Sequence, residues 1–148
     1  MLQRLLPALL PGWRFFDEIG PSPRVDYALL PAGTGPASAQ WRAFRPTPQR
    51  LPPHAWLTRL VWNPDWNETL FVLRCAERVL EGDTAFALAE LRDRVDAAAR
   101  AGLLYGPGTP PPAALSLRVR AVTADGAGCN DSVVFIAQAW PAPPVTPP

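Results

Sequence analysis

The chain has no lysine: all 14 of its basic residues are arginine, and they are set against 13 acidic residues for a net charge of +1. So even a balance lacks the basic surplus by which nucleic-acid-binding chains collect phosphates, and no nucleic-acid partner is expected. Histidine occurs once, as His54, and cysteine twice, as Cys75 and Cys129. Those three residues cannot build a Cys/His metal cage, and no CxxC pair is present. One disulfide between the cysteines is formally open, but two reduced, partly buried thiols are the expectation. No apolar run approaches the roughly 18–20 residues that a membrane-spanning helix requires. The leading segment MLQRLLPALLPGW is apolar but short, is broken by Pro7 and Pro11, and lacks an A-x-A-type exit. Neither a cleavable signal peptide nor a transmembrane helix is therefore expected, and the chain reads as cytoplasmic or membrane-peripheral.

Catalytic constellations are missing as well. The stretch AGTGPAS places a proline where a phosphate loop needs an array of backbone amides. Asp17 and Glu18 are adjacent, and consecutive carboxylates rarely converge on one substrate atom. His54 has no evident carboxylate or nucleophile to work with. The expectation is a non-catalytic protein with no cofactor, no metal and no small-molecule substrate.

Proline, by contrast, is abundant, at 20 of 148 residues, against a usual share of about 5%. Its distribution divides the chain, because proline lacks an N–H donor and is excluded from helix interiors and central strands. Two proline-free windows, 65–106 and 113–140, should form the regular core. In the first, Pro64 suits an opening helical position after Asn63, and Asp65 and Glu68 sit near the positive helix end. Trp66, Leu70, Leu73 and Leu80 then recur at helical spacing, with Phe71, Val72 and Val79 widening the apolar face. These residues predict a helix over about 64–81, stopped by Gly82, and a second over about 84–104 with a stripe of Leu88, Leu91, Val95 and Ala98. Glu90 with Arg94 and Arg92 with Asp96 are spaced as i,i+4 pairs on its wet side. A shorter helix is expected over about 54–62.

The second window reads as a hairpin over about 115–139. Leu115, Leu117, Val119 and Ala121 alternate with Ser116, Arg118 and Arg120, predicting one buried and one solvated face. Val25, Tyr27 and Leu29 alternate similarly, and AQWRAFR offers a return strand, giving a first hairpin over about 24–45. The expected fold is α+β: a small antiparallel sheet from two hairpins packed against two or three helices. It would occupy a single domain over 19–140, between an apolar arm (1–18) and a Pro-rich flexible tail (141–148).

The arm carries the candidate interaction residues: Leu5, Leu6 and Leu9 on a leucine stripe, then Trp13, Arg14, Phe15 and Phe16. An apolar face with aromatic anchors and arginines suits a helix lying at a bilayer interface. It suits equally a helix docking in a partner's groove, or an arm closing over the chain's own core. The Trp13-Arg14-Phe15-Phe16 run followed by Pro21 and Pro23 resembles the W-x-x-F…P segment of small bacterial proteins encoded with, or fused to, polytopic membrane proteins of the HTTM (vitamin-K-carboxylase-like) type. More broadly, WRFFDEIGPSPR together with WNPDWNETLFVLRCAER resembles a set of uncharacterised bacterial proteins of similar length, over about residues 11–81. The resemblance implies association with a membrane surface or a membrane-protein partner and carries no chemistry. The leading expectation is thus an accessory protein held to such a partner by residues 2–16; the alternative is a soluble interaction module that uses the Pro-rich tail or an exposed sheet face. If the arm seeks a membrane, the full chain will float with liposomes and a shortened chain beginning at Ile19 will stay with the soluble fraction; equal behaviour of the two rules out the membrane contact.

Overall fold

Residues 20–45, 64–105, 109–110, 112–125 and 128–145 are described by the structure, a computed structural model of the 148-residue chain. The described elements run β1 (Ser22–Leu30), a 3₁₀ turn (Pro36–Ser38), β2 (Trp41–Ala43), α1 (Pro64–Leu80), α2 (Thr84–Arg100), β3 (Ala114–Asp125), β4 (Gly128–Ile136) and β5 (Trp140–Pro141). The predicted helix over 54–62 and the arm over 1–18 lie outside the described residues.

The fold is α+β. Both expected hairpins form, β1 with β2 and β3 with β4, and they join along β1 and β3 into one antiparallel sheet of order β2-β1-β3-β4. The joining ladder is long, from Ser22 opposite Val122 to Leu30 opposite Ala114. Residues of even spacing on these central strands, Val25 and Tyr27 on β1 and Leu115, Leu117 and Val119 on β3, share one face and are buried. The helices cover that face, burying Val72, Cys75, Ala76 and Val79 of α1 and Ala87, Leu91, Val95, Ala98 and Ala99 of α2. The Tyr27 hydroxyl donates to the carbonyl of Leu104, and the Tyr105 hydroxyl to that of Ala99, so neither ring buries an unpaired polar group.

Both helices end in the same way. Gly82 and Gly102 adopt left-handed φ angles of 94° and 67°. In each case the next residue donates back five positions, Asp83 to Arg78 and Leu103 to Ala98, while the glycine itself donates to Val79 or Ala99. This double bond pattern satisfies carbonyls that a helix end leaves open, and only glycine takes the required backbone without steric penalty. The second helix therefore stops at Arg100 rather than near Leu104: Gly102 ends it before the proline run is reached.

The buried face of α1 also differs from the expected stripe. Its centre is Val72, Cys75, Ala76 and Val79, while Leu70 is 42% exposed. The helix has two neighbours, the sheet under β1 and α2 alongside, and small side chains at Cys75, Ala76, Ala87 and Ala98 let these layers approach. Val72 and Val79 belong to the expected face and Phe71 and Leu80 pack against the core, so the departure is at Leu70. The expected i,i+4 pairs on α2 give way to longer links: Arg94 pairs with Glu68 of α1 at 2.7 Å, and Asp96 accepts a 2.8 Å hydrogen bond from the Trp140 indole.

That indole changes the description of the tail. Trp140 is 5% exposed, β5 pairs with β3 at Leu115 and Ala114, and the Ala142 amide donates to Ala113. The chain past residue 140 is thus partly built into the sheet, and only 146–148 lie outside the described residues. No described helix is long and apolar enough to cross a membrane. Leu91→Ala should lower stability by about 2–5 kcal/mol, whereas Leu70→Ala should stay within about 0.5 kcal/mol; urea midpoints of the two variants will show which sector of the helices is the core.

Candidate functional site

The sequence pattern assigns Arg118 and Arg120 to a solvated face of β3, and the structure corrects this. Their strand lies beside β1, where Asp26 stands opposite Arg118. The Asp26 carboxylate is 3% exposed and accepts from the Arg118 Nε at 2.8 Å, from the Arg120 Nε at 2.6 Å and from the Arg120 Nη2 at 3.1 Å. Arg120 also bonds to Asp131 on β4, and the Arg118 guanidinium lies 4.8 Å from the Trp41 ring centre on β2. One charge network therefore runs across β2, β1, β3 and β4 on the face away from the helices. Its hydrogen bond to Asp26 raises the pKa of Arg120 further, outweighing the opposing effect of burial. Beside it Ser116 is fully buried and donates to the carbonyl of Ala137. Acceptors on all sides of Asp26 are used, which describes a structural clamp rather than a reactive acid.

The outer side of β4 differs in kind. Among the described residues β4 pairs only with β3, so its second edge presents a row of backbone donors and acceptors. Eight of its nine residues are exposed, Phe135 being half-buried. Val133, Val134 and Ile136 are each nearly half exposed, at 48%, 47% and 47%. The register explains part of this: Arg120 opposes Val133 and Val119 opposes Phe135, so Val134 is an extra residue at a bulge. Such edges are usually guarded by lysine, proline or an inward charge. Here Asp131 is the one charged residue in the strand, and Arg120 occupies it.

A groove of about 530 Å³ borders this edge where α2 passes over the sheet. Leu88, Leu117, Phe135 and Trp140 line it, with Arg92, Asp93 and Asp96 at the rim. Arg92 stacks 5.0 Å over the Trp140 ring, and Asp96 holds the indole nitrogen. A strand added to β4 would point alternate side chains toward this groove, because neighbouring residues of a strand face opposite sides.

Of the residues singled out from sequence, Leu5, Leu6, Leu9, Trp13, Arg14, Phe15 and Phe16 lie outside the described residues, as do His54 and Trp62. The two cysteines are free thiols, Cys75 buried and Cys129 exposed. Burial pushes the Cys75 thiol above its ordinary pKa, with Glu90 adding to the shift, so it is packing rather than a nucleophile. No group of three potential metal ligands occurs among the described residues. Sequence reasoning missed the Asp26 clamp because its members are 92 and 94 positions apart; the available signal was an acidic residue within the alternating run RVDYALL. Removing that carboxylate leaves two guanidiniums facing each other, so Asp26→Ala should cost about 3–5 kcal/mol. Asp131→Ala, at the exposed end of the network, should cost no more than about 1 kcal/mol, both read from denaturant midpoints.

No family model matches the chain, and neither a curated protein nor a solved structure resembles it closely enough to count as a match.

Proposed function

We propose that this is a non-catalytic interaction protein that binds an extended segment of a partner polypeptide by adding it as a strand along β4. The observation carrying this reading is the edge of β4 itself: nine residues, unpaired on the outer side among the described residues, with Val133, Val134 and Ile136 open to contact. Strand addition draws affinity from main-chain hydrogen bonds and specificity from pockets that receive alternate side chains. Both components are at hand, since the groove beside Phe135 and Trp140 lies on the side that such side chains would reach. The partner suited to it is an extended segment with an aliphatic or aromatic residue for the groove and, close by, a charged residue for the Arg92, Asp93 and Asp96 rim.

This reading prefers the sheet over the Pro-rich tail as the contact, because Trp140, Pro141 and Ala142 are already engaged in the fold. Contact with a membrane surface or membrane protein through the leucine–aromatic arm would act alongside it and rests on sequence chemistry alone.

Peptides selected from a displayed random library against the full chain should protect the amides of residues 129–136 from hydrogen exchange. Val134→Lys with Ile136→Lys should weaken those peptides at least tenfold while leaving the circular dichroism and melting temperature near those of the parent. Protection elsewhere, or peptides indifferent to the two lysines, would overturn strand addition. A dimer of the chain alone that the lysines dissociate would make the occupant a second copy instead.

A further inference from the structure

A second site, independent of the β4 edge, lies at the opposite margin of the sheet. A cavity of about 300 Å³ opens where β2 leaves β1, bounded on one side by Val72, Leu73 and Thr69 of α1. Its polar lining is dominated by arginine: Arg24, Arg45 and Arg120 face it, against the single carboxylate of Asp26. Pairing explains the convergence. Arg24 stands opposite Arg120 on β3, and Arg45 lies two residues past Ala43, the end of β2, which is set against Asp26. The Phe44 amide donates to the Val25 carbonyl at 2.8 Å, holding the chain against β1 up to that point. Like charges placed directly across a ladder repel, so this row of guanidiniums calls for counter-charge.

The available carboxylates are already committed. Asp26 is gripped by Arg118 and Arg120, and Asp131 by Arg120. Glu68, which borders an adjoining hollow with Arg45, is paired to Arg94. Arg24 has no acidic partner among the described residues, and neither has Arg45. The Arg45 Nε is buried and has no hydrogen-bond acceptor among the described residues, a rare condition for a charged donor. Arg45 also holds a left-handed backbone, at φ 51°, uncommon for a residue with a long side chain. Strained backbone and an orphaned charged donor in one residue at the wall of a cavity are features that cluster at ligand sites.

We propose that this cavity binds a phosphomonoester. A guanidinium presents its Nε–H and a terminal N–H as a fork matched to two oxygens of a phosphate, and a dianion answers the two arginines left without carboxylates. The organic part of the ester would lie against Val25, Phe44, Val72 and Leu73, the apolar side of the same cavity. That volume is at the lower limit for small-molecule sites, about 300 Å³, and so selects a compact group such as a single ring or short chain.

The test follows arginine Nε–Hε signals by NMR on the full chain, at constant ionic strength, with phenyl phosphate, inorganic phosphate and sodium chloride as separate titrants. Phenyl phosphate should shift the Arg45 signal saturably and bind at least tenfold more tightly than inorganic phosphate; chloride should produce no saturable shift. Arg45→Met and Arg24→Met should each weaken phenyl phosphate at least tenfold, and Arg74→Met, a change on the exposed side of α1, should leave it unaltered. Arg24 is exposed, so its variant decides the matter if replacing Arg45 disturbs the fold. Shifts that grow without saturating, equal binding of both phosphates, or affinity unchanged in Arg24→Met would overturn the assignment.

Discussion

The pairing of β1 with β3 is the constraint on which the other features depend. It joins two hairpins separated by both helices into one sheet, and it is the longest described contact between segments distant in the chain. With that ladder in place, Val25 and Tyr27 meet Leu117 and Val119 beneath the helices, and Asp26 meets Arg118 and Arg120 on the opposite face. The ladder therefore carries both an apolar layer and a buried ionic one. A one-residue slip would exchange the faces, driving Asp26 toward the helices and leucines outward. The ionic clamp thus penalises wrong registers in addition to whatever it contributes to the correct one, consistent with buried ion pairs acting in specificity more than in net stability.

The two margins of the sheet are finished differently. On the β2 side the strand is three residues long and gives way to an arginine-lined cavity. On the β4 side the strand is long and apolar over Val133–Ile136, and β5 continues the same margin with the Trp140 indole anchored to α2. Anchoring that indole to Asp96 and beneath Arg92 shapes the groove, since the ring forms one wall of it. The two proposed contacts thus use different chemistry on opposite margins, with β1 and β3 between them.

Much of the architecture was legible because it rests on local chemistry. Proline's missing donor marked out the windows that hold α1, α2, β3 and β4, and strict alternation in LSLRVRAV identified the buried face of β3. Gly82 as a helix stop was equally plain, while Gly102 was overlooked in favour of the more conspicuous proline run behind it. On α1 the expected apolar face holds at Val72 and Val79 and fails at Leu70, while the small Cys75 and Ala76 lie at its centre, where two layers close on the helix. Arg118 and Arg120 looked like a solvated strip because their partner, Asp26, belongs to a strand that only the assembled sheet brings alongside.

The sequence by itself determined the fold class and the positions of the main helices and hairpins, since these follow from backbone constraints and short-range periodicity. Only the tertiary structure decided that three arginines line one cavity, that Asp26 is enclosed, that the Pro-rich end begins as a strand and that β4 pairs, among the described residues, with β3 alone. Each of these depends on which strand lies next to which. Strand order is settled by contacts between residues far apart in the chain, and no local pattern encodes it.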